Sequence, residues 1–96
     1  MYGTIARMRV KPGMWDKLVA VTAAEDRLNI PGHKDTKLYR MDADSNECYL
    51  VVVFDSKEAY DRNADSPEQD ARYREFVQFL DGEPEWHDGE VVYSRT

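Results

Sequence analysis

The residues of this sequence best equipped for chemistry fall on short polar helices and on strands. Asn63, Tyr60 and Tyr73 lie in stretches with helical spacing; Arg7, Arg9, Tyr39 and Trp86 lie in extended ones. Amide, phenol and guanidinium groups all donate hydrogen bonds. Asn63, Tyr73 and Arg7 are therefore candidates for donating hydrogen bonds to a ligand, and Tyr39, Tyr60, Phe76 and Trp86 are candidates for lining a pocket. Each also has a structural reading. Tyr73 shares a helical stripe with Phe76 and Leu80, which would make it a core tyrosine. Asn63 stands near a helix end, where asparagine often caps. Arg7 and Arg9 alternate with Ala6, Met8 and Val10. They either reach the rim of a sheet, pair with acids such as Asp88 or Glu90 on a neighbouring strand across a dimer seam, or bind an anion in a pocket.

Other chemistries lack their parts. His33 and His87 are far apart and belong to no ligand spacing, so no metal is expected. The glycines are isolated at turns, which leaves no phosphate loop, and no Ser-His-Asp or Cys-His arrangement stands near a strand-to-helix elbow. Cys48, the single cysteine, lies inside an apolar run and reads as a small buried hydrophobe. The net charge of −6, with basic residues scattered, argues against nucleic acid and against an anionic membrane surface as partners. No apolar stretch approaches membrane-spanning length. Arg7 and Arg9 interrupt the place where a signal peptide would need its apolar region, so a reducing, cytoplasmic setting is expected.

The elements that must position these residues are legible in turn. Tyr2 to Val10 reads as a strand with Thr4, Ala6, Met8 and Val10 on one face and Ile5, Arg7 and Arg9 on the other. Pro12-Gly13 ends it, and Met14 to Asn29 follows with a wide apolar helical stripe. Ile30-Pro31-Gly32 breaks that pattern. Lys34 to Asp42 and Cys48 to Asp55 form a hairpin around a polar turn. Ser56 and Ser66 stand as N-caps of two successive helices, the second opened by Pro67 and running to Leu80. Trp86 to Ser94 reads as the last strand.

Strand, helix, strand, strand, helix pair, strand is the split β-α-β order of ferredoxin-like α+β domains, with one antiparallel sheet and helices on one face. A single domain over residues 1–96 is expected. The run Cys48 to Phe54 is apolar on both faces, however, and so few helices cannot cover both. The expectation is a homodimer whose sheets face each other.

Several segments together resemble the antibiotic biosynthesis monooxygenase family of dimeric α+β barrels: VKPGMWDKL after the first strand, IPGH before the hairpin, VVVFDSKEAYDRNADSP, and a final strand containing two valines. The resemblance spans nearly the whole chain and rests on motifs that specify fold. It implies a homodimer with a pocket in each protomer between sheet and helices. It also implies either a cofactor-independent oxygenase of a phenol or quinol, or a non-catalytic dimer that binds a small hydrophobic molecule. For the enzyme it implies a pocket that excludes water, help in deprotonating the substrate, and donors for the resulting anion, with Asn63, Tyr73 and Arg7 in those roles. A pocket filled by Phe76 and Phe79 would favour the non-catalytic module. Family histidines are replaced here by Asn63 and Glu68. Ala6, Asn63 and Tyr73 stand where the haem-degrading branch carries Asn, Trp and a haem-ligating His, so no haem or other cofactor is expected.

Overall fold

A computed structural model describes residues 1–95. Eight elements follow one another: β1 (Tyr2–Arg9), α1 (Trp15–Ala23) continued by a 3₁₀ turn (Ala24–Arg27), β2 (His33–Arg40), β3 (Glu47–Phe54), α2 (Lys57–Ala64), α3 (Pro67–Val77) and β4 (Glu85–Glu90). The four strands form one antiparallel sheet in the order β2-β3-β1-β4. This is the ferredoxin-like α+β arrangement, with its second helix split into α2 and α3.

Strand periodicity sets the core. Thr4, Ala6, Met8 and Val10 point to the helices and are buried, while Ile5, Arg7 and Arg9 point away. On β3, Cys48, Leu50 and Phe54 are buried on the same side, and Leu18 of α1 and Phe76 of α3 close over them. Tyr49, Val51 and Val53, on the other face of β3, are only half-buried.

The caps explain where α2 and α3 begin. Ser56 Oγ accepts the Ala59 amide and Ser66 Oγ accepts the Gln69 amide, both at 3.1 Å, and Pro67 occupies the first turn of α3. Gly32, at φ +82°, turns the chain into β2. A Cβ there would lie 2.6 Å from Ala59 Cβ, so its lack of a side chain lets the β2 entrance close against α2.

Three boundaries differ from the sequence reading. The helix expected over Met14–Asn29 tightens into a 3₁₀ turn after Ala23, and Asn29 leaves it at φ +47°. α3 stops at Val77, and Leu80 instead bridges Val10. β4 ends at Glu90, and Val92 and Tyr93 lie exposed beyond it. The cause is the lack of a partner. β1 begins at Tyr2, opposite Glu90, and only the Val91 amide pairs further, donating to the Met1 carbonyl at 2.9 Å.

Candidate functional site

A cavity of about 330 Å³ opens between the sheet and the helices, within the range usual for small-molecule sites. Leu50, Val52 and Phe54 of β3 and Thr4 of β1 form its floor, reaching it because they share the inward face of the sheet. Tyr60 and Asn63 of α2 and Tyr73 and Phe76 of α3 form the opposite wall. Trp86 closes one side from β4, its ring 5.9 Å from that of Tyr73. Glu25 and His33 line the region where the α1 extension meets β2.

One polar cluster stands on the wall. α2 ends at Ala64 and α3 begins at Pro67, so this short connection folds Gln69 back toward Asn63. Asn63 Nδ2 donates to Gln69 Oε1 at 3.4 Å. Arg72 lies one turn further along α3 and donates to Gln69 Oε1 at 2.9 Å and to Asn63 Oδ1 at 3.3 Å. The Glu25 carboxylate faces the same guanidinium at 3.9 Å. Burial pushes the pKa of Glu25 up, and Arg72 opposes that rise. Asn63 Nδ2 carries two hydrogens, and Gln69 takes one. Arg72, bonded to the Asn63 carbonyl oxygen, holds the amide plane at the cavity wall.

A second polar group lies at the floor. Tyr60 Oη donates to Asp88 Oδ1 at 2.9 Å, and Thr4 and Asp88 are cross-strand partners beneath it. Burial, reinforced by Asp88, pushes the Tyr60 pKa up to about 12, so at neutral pH the phenol keeps its proton. The buried Thr4 hydroxyl has no partner at full hydrogen-bond geometry, yet lies near enough to Tyr60 to oppose that rise. The rings of Phe54 and Tyr2 pack edgewise on Tyr60 at 5.8 and 5.3 Å and fix it there.

Five of the residues singled out from the sequence meet at this cavity: Asn63, Tyr73, Tyr60, Phe76 and Trp86. Tyr73 lines it rather than filling the core, and Asn63 bonds side chains of α3 rather than capping α2. Two do not join them. Arg7 is on the opposite face of the sheet, 52% exposed, and its guanidinium pairs with Glu47 at 2.8 Å. Tyr39 lies on that same outer face, opposite Tyr49 and half exposed. Strand alternation is the physical reason for both, because a residue one position from the inward-facing Ala6 or Leu38 must point away. Arg9 likewise pairs with Asp44 at 2.9 Å, so within the protomer the acids holding the two arginines come from β3 and its preceding turn.

Arg72, Gln69, Glu25 and Thr4 were missed. Thr4 carried the one usable signal, a polar residue in the inward stripe Thr4-Ala6-Met8. His33 is partly buried and lines the cavity, with Nε2 2.6 Å from Thr36 Oγ1. His87 is exposed beside Glu85. Cys48 is fully buried, and its thiol pKa is pushed up to about 11. Among the described residues no group of three potential metal ligands comes together, and no helix is long and apolar enough to cross a membrane.

The family profile described as antibiotic biosynthesis monooxygenase matches residues 1–76. The chain belongs to this family. Its match ends within α3, so β4, with Trp86 and Asp88, lies beyond it. Solved structures agree in fold with this antibiotic biosynthesis monooxygenase domain. A Chloroflexus aurantiacus J-10-fl protein bearing the same family name superposes with a TM-score of 0.78 at 23% identity, covering 99% of this chain and 96% of its own. SnoaB from Streptomyces nogalater, a cofactor-independent oxygenase solved as its N63A mutant, superposes with a TM-score of 0.81 at 15% identity, covering 97% of this chain and 94% of its own. Rv0793 from Mycobacterium tuberculosis gives 0.76 at 18% identity, covering 99% and 98%. No curated protein matches the chain.

Proposed function

We propose that this protein is a cofactor-independent monooxygenase of an electron-rich phenol or quinol bound in the cavity between sheet and helices. The observation that carries the reading is an apolar cavity holding a fixed amide. Asn63 is oriented by Arg72 and Gln69 and shares the cavity wall with the rings of Tyr60, Tyr73 and Phe76. In such chemistry the ionised substrate gives an electron to oxygen, and the protein's task is to bind, exclude water and hold the anion. Asn63 and Tyr73 have donors for that anion, and their value rises in a site of low dielectric. Phe76 contributes a wall without filling the space. Fold likeness to SnoaB supports the reaction class at the level of architecture.

The same reading includes a homodimer. Ile5, Tyr49, Val51 and Val53 form an apolar patch on the outer face of the sheet, and a second copy of that face is its natural cover. An interface of about 2,000 Å² or more is the scale of an obligate dimer. The test is oxygen uptake by the purified protein over a panel of quinols and anthrones, with light scattering on the same sample. Substrate-dependent uptake by a dimer is expected. A panel without uptake sinks the oxygenase reading, and a well-folded monomer at micromolar concentration sinks the dimer.

A further inference from the structure

We infer that Glu25 is the base of this cavity, and that its carboxylate takes the hydroxyl proton of the bound phenol or quinol. The inference rests on the cavity being the phenol site proposed above. It fills a role in that reading which an amide such as Asn63, a donor to the anion, cannot fill.

A base must face the cavity and keep a lone pair for the ligand's proton. The lining holds two carboxylates and one imidazole, those of Glu25, Asp70 and His33. Asp70 is exposed and held by Arg74 at 2.8 Å. His33 has Nε2 against Thr36 Oγ1, and its ring packs edgewise on Phe54 at 5.6 Å. Glu25 differs from both. It is half-buried in the 3₁₀ turn after α1, and Arg72 Nε stands 3.9 Å from its Oε1, beyond hydrogen-bond length. The Nε and Nη2 donors of Arg72 go instead to Gln69 and Asn63. Among the described residues no hydrogen bond ends on the Glu25 carboxylate, so its oxygens can accept from a ligand.

One guanidinium serves both the base and the donor. Arg72 faces Glu25 and also bonds the Asn63 amide oxygen. In the step, the phenol O–H bond breaks, its electron pair stays on the phenol oxygen, and the proton bonds a Glu25 oxygen. Negative charge thereby moves from the carboxylate to the substrate, and the Arg72 cation, relieved of a charged partner, remains to favour the new anion. The surroundings suit the task. Burial pushes the Glu25 pKa up, with Asp26 adding to the rise and Arg72 and His33 opposing it, and a carboxylate of higher pKa is the stronger base. The proton also has a way out. Glu25 lines a second, polar recess with Asp26, Asn29, Ile30 and His33, and Asp26 and Asn29 there are exposed to water.

The test is oxygen uptake on 1,4-naphthohydroquinone and its 2-methyl and 2-chloro derivatives, with the protein-free rate subtracted. Chlorine makes the hydroxyl more acidic and methyl makes it less so, and a more acidic hydroxyl needs a base less. Glu25→Gln should lower kcat by about 10²-fold at neutral pH on the methyl compound, with KM held. The loss should shrink through the parent to the chloro compound. Glu25→Asp, which keeps a carboxylate, should show the same gradient more weakly, and it decides the matter where the glutamine protein does not fold. A wild-type rate in folded Glu25→Gln, or an equal loss on all three quinols, overturns the inference and leaves the oxygenase reading standing. The gradient appearing in His33→Gln instead of Glu25→Gln also overturns it. Uptake by wild type on none of the quinols overturns the inference together with the reading of the cavity.

Discussion

The two faces of the sheet are made from the same strands, residue by residue in alternation, and they have different tasks. On β1 the inward residues are Thr4, Ala6 and Met8, each at most 5% exposed, while the outward residues include Ile5 at 51%. The inward face builds the core and the cavity floor. The outward face carries an apolar patch edged by Arg7–Glu47 and Arg9–Asp44 ion pairs. Residue type alone does not separate them. Arginine, tyrosine and valine occur outside, threonine and cysteine inside. What separates them is parity along the strand, and parity decides which side chains can meet a ligand.

The sharpest contrast is in stability. Phe54, 1% exposed, sits where β3 meets α2, and Phe54→Ala should cost about 3–5 kcal/mol by chemical denaturation. Ile5→Ala on the outer face should cost less than half of that. If a second copy covers that face, its cost should grow as the protein is diluted. Equal, concentration-independent losses would erase the distinction between the faces.

Cys48 extends the comparison to pH. Its folded-state pKa is raised from 9.0 to about 11 by burial, so the folded state holds the thiol proton more tightly than the unfolded state. The thiol leaves stability unchanged below about pH 9 and lowers it as pH rises between those values. The loss reaches about 2–3 kcal/mol above the folded pKa. Cys48→Ala should remove that part of the alkaline decline, which denaturation curves at stepped pH will show. A wild-type thiol that reacts with a thiol reagent as fast as a free one would contradict its burial.

The smallest effect belongs to the outer ion pairs. Arg7→Met should barely move the unfolding midpoint, and added salt should shrink the difference further, because both partners meet water. A large loss would mean that the outer face depends on this pair for more than solubility.

The frame was open to reading from the sequence because local rules and global fold agree there. Ser56, Ser66 and Pro67 mark helix starts, the glycine turns mark strand ends, and the apolar run of β3 marks a central strand. The cavity's aromatic residues were open to choice by their chemistry, whereas helical spacing placed Tyr73 in the core with Phe76. Arg72, Gln69 and Glu25 were not open to it, because their cluster joins the 3₁₀ turn after α1 to α3, residues whose proximity no local pattern encodes. Arg7 fell to its chemical suitability, although its alternation with Ala6 and Met8 already placed it on the other face. Val91 to Tyr93 had the composition of a strand but no strand to pair with.

Oxygen uptake by Asn63→Ala, compared with Arg7→Met and wild type on one quinol or anthrone substrate, tests the central claim most directly. Asn63→Ala should lower turnover by about 10²-fold while the protein stays folded, as expected for loss of one donor to the anion. Arg7→Met, across the sheet from the cavity, should turn over at the wild-type rate. A wild-type rate in Asn63→Ala, or a collapse confined to Arg7→Met, would contradict the placement of the reaction in the cavity.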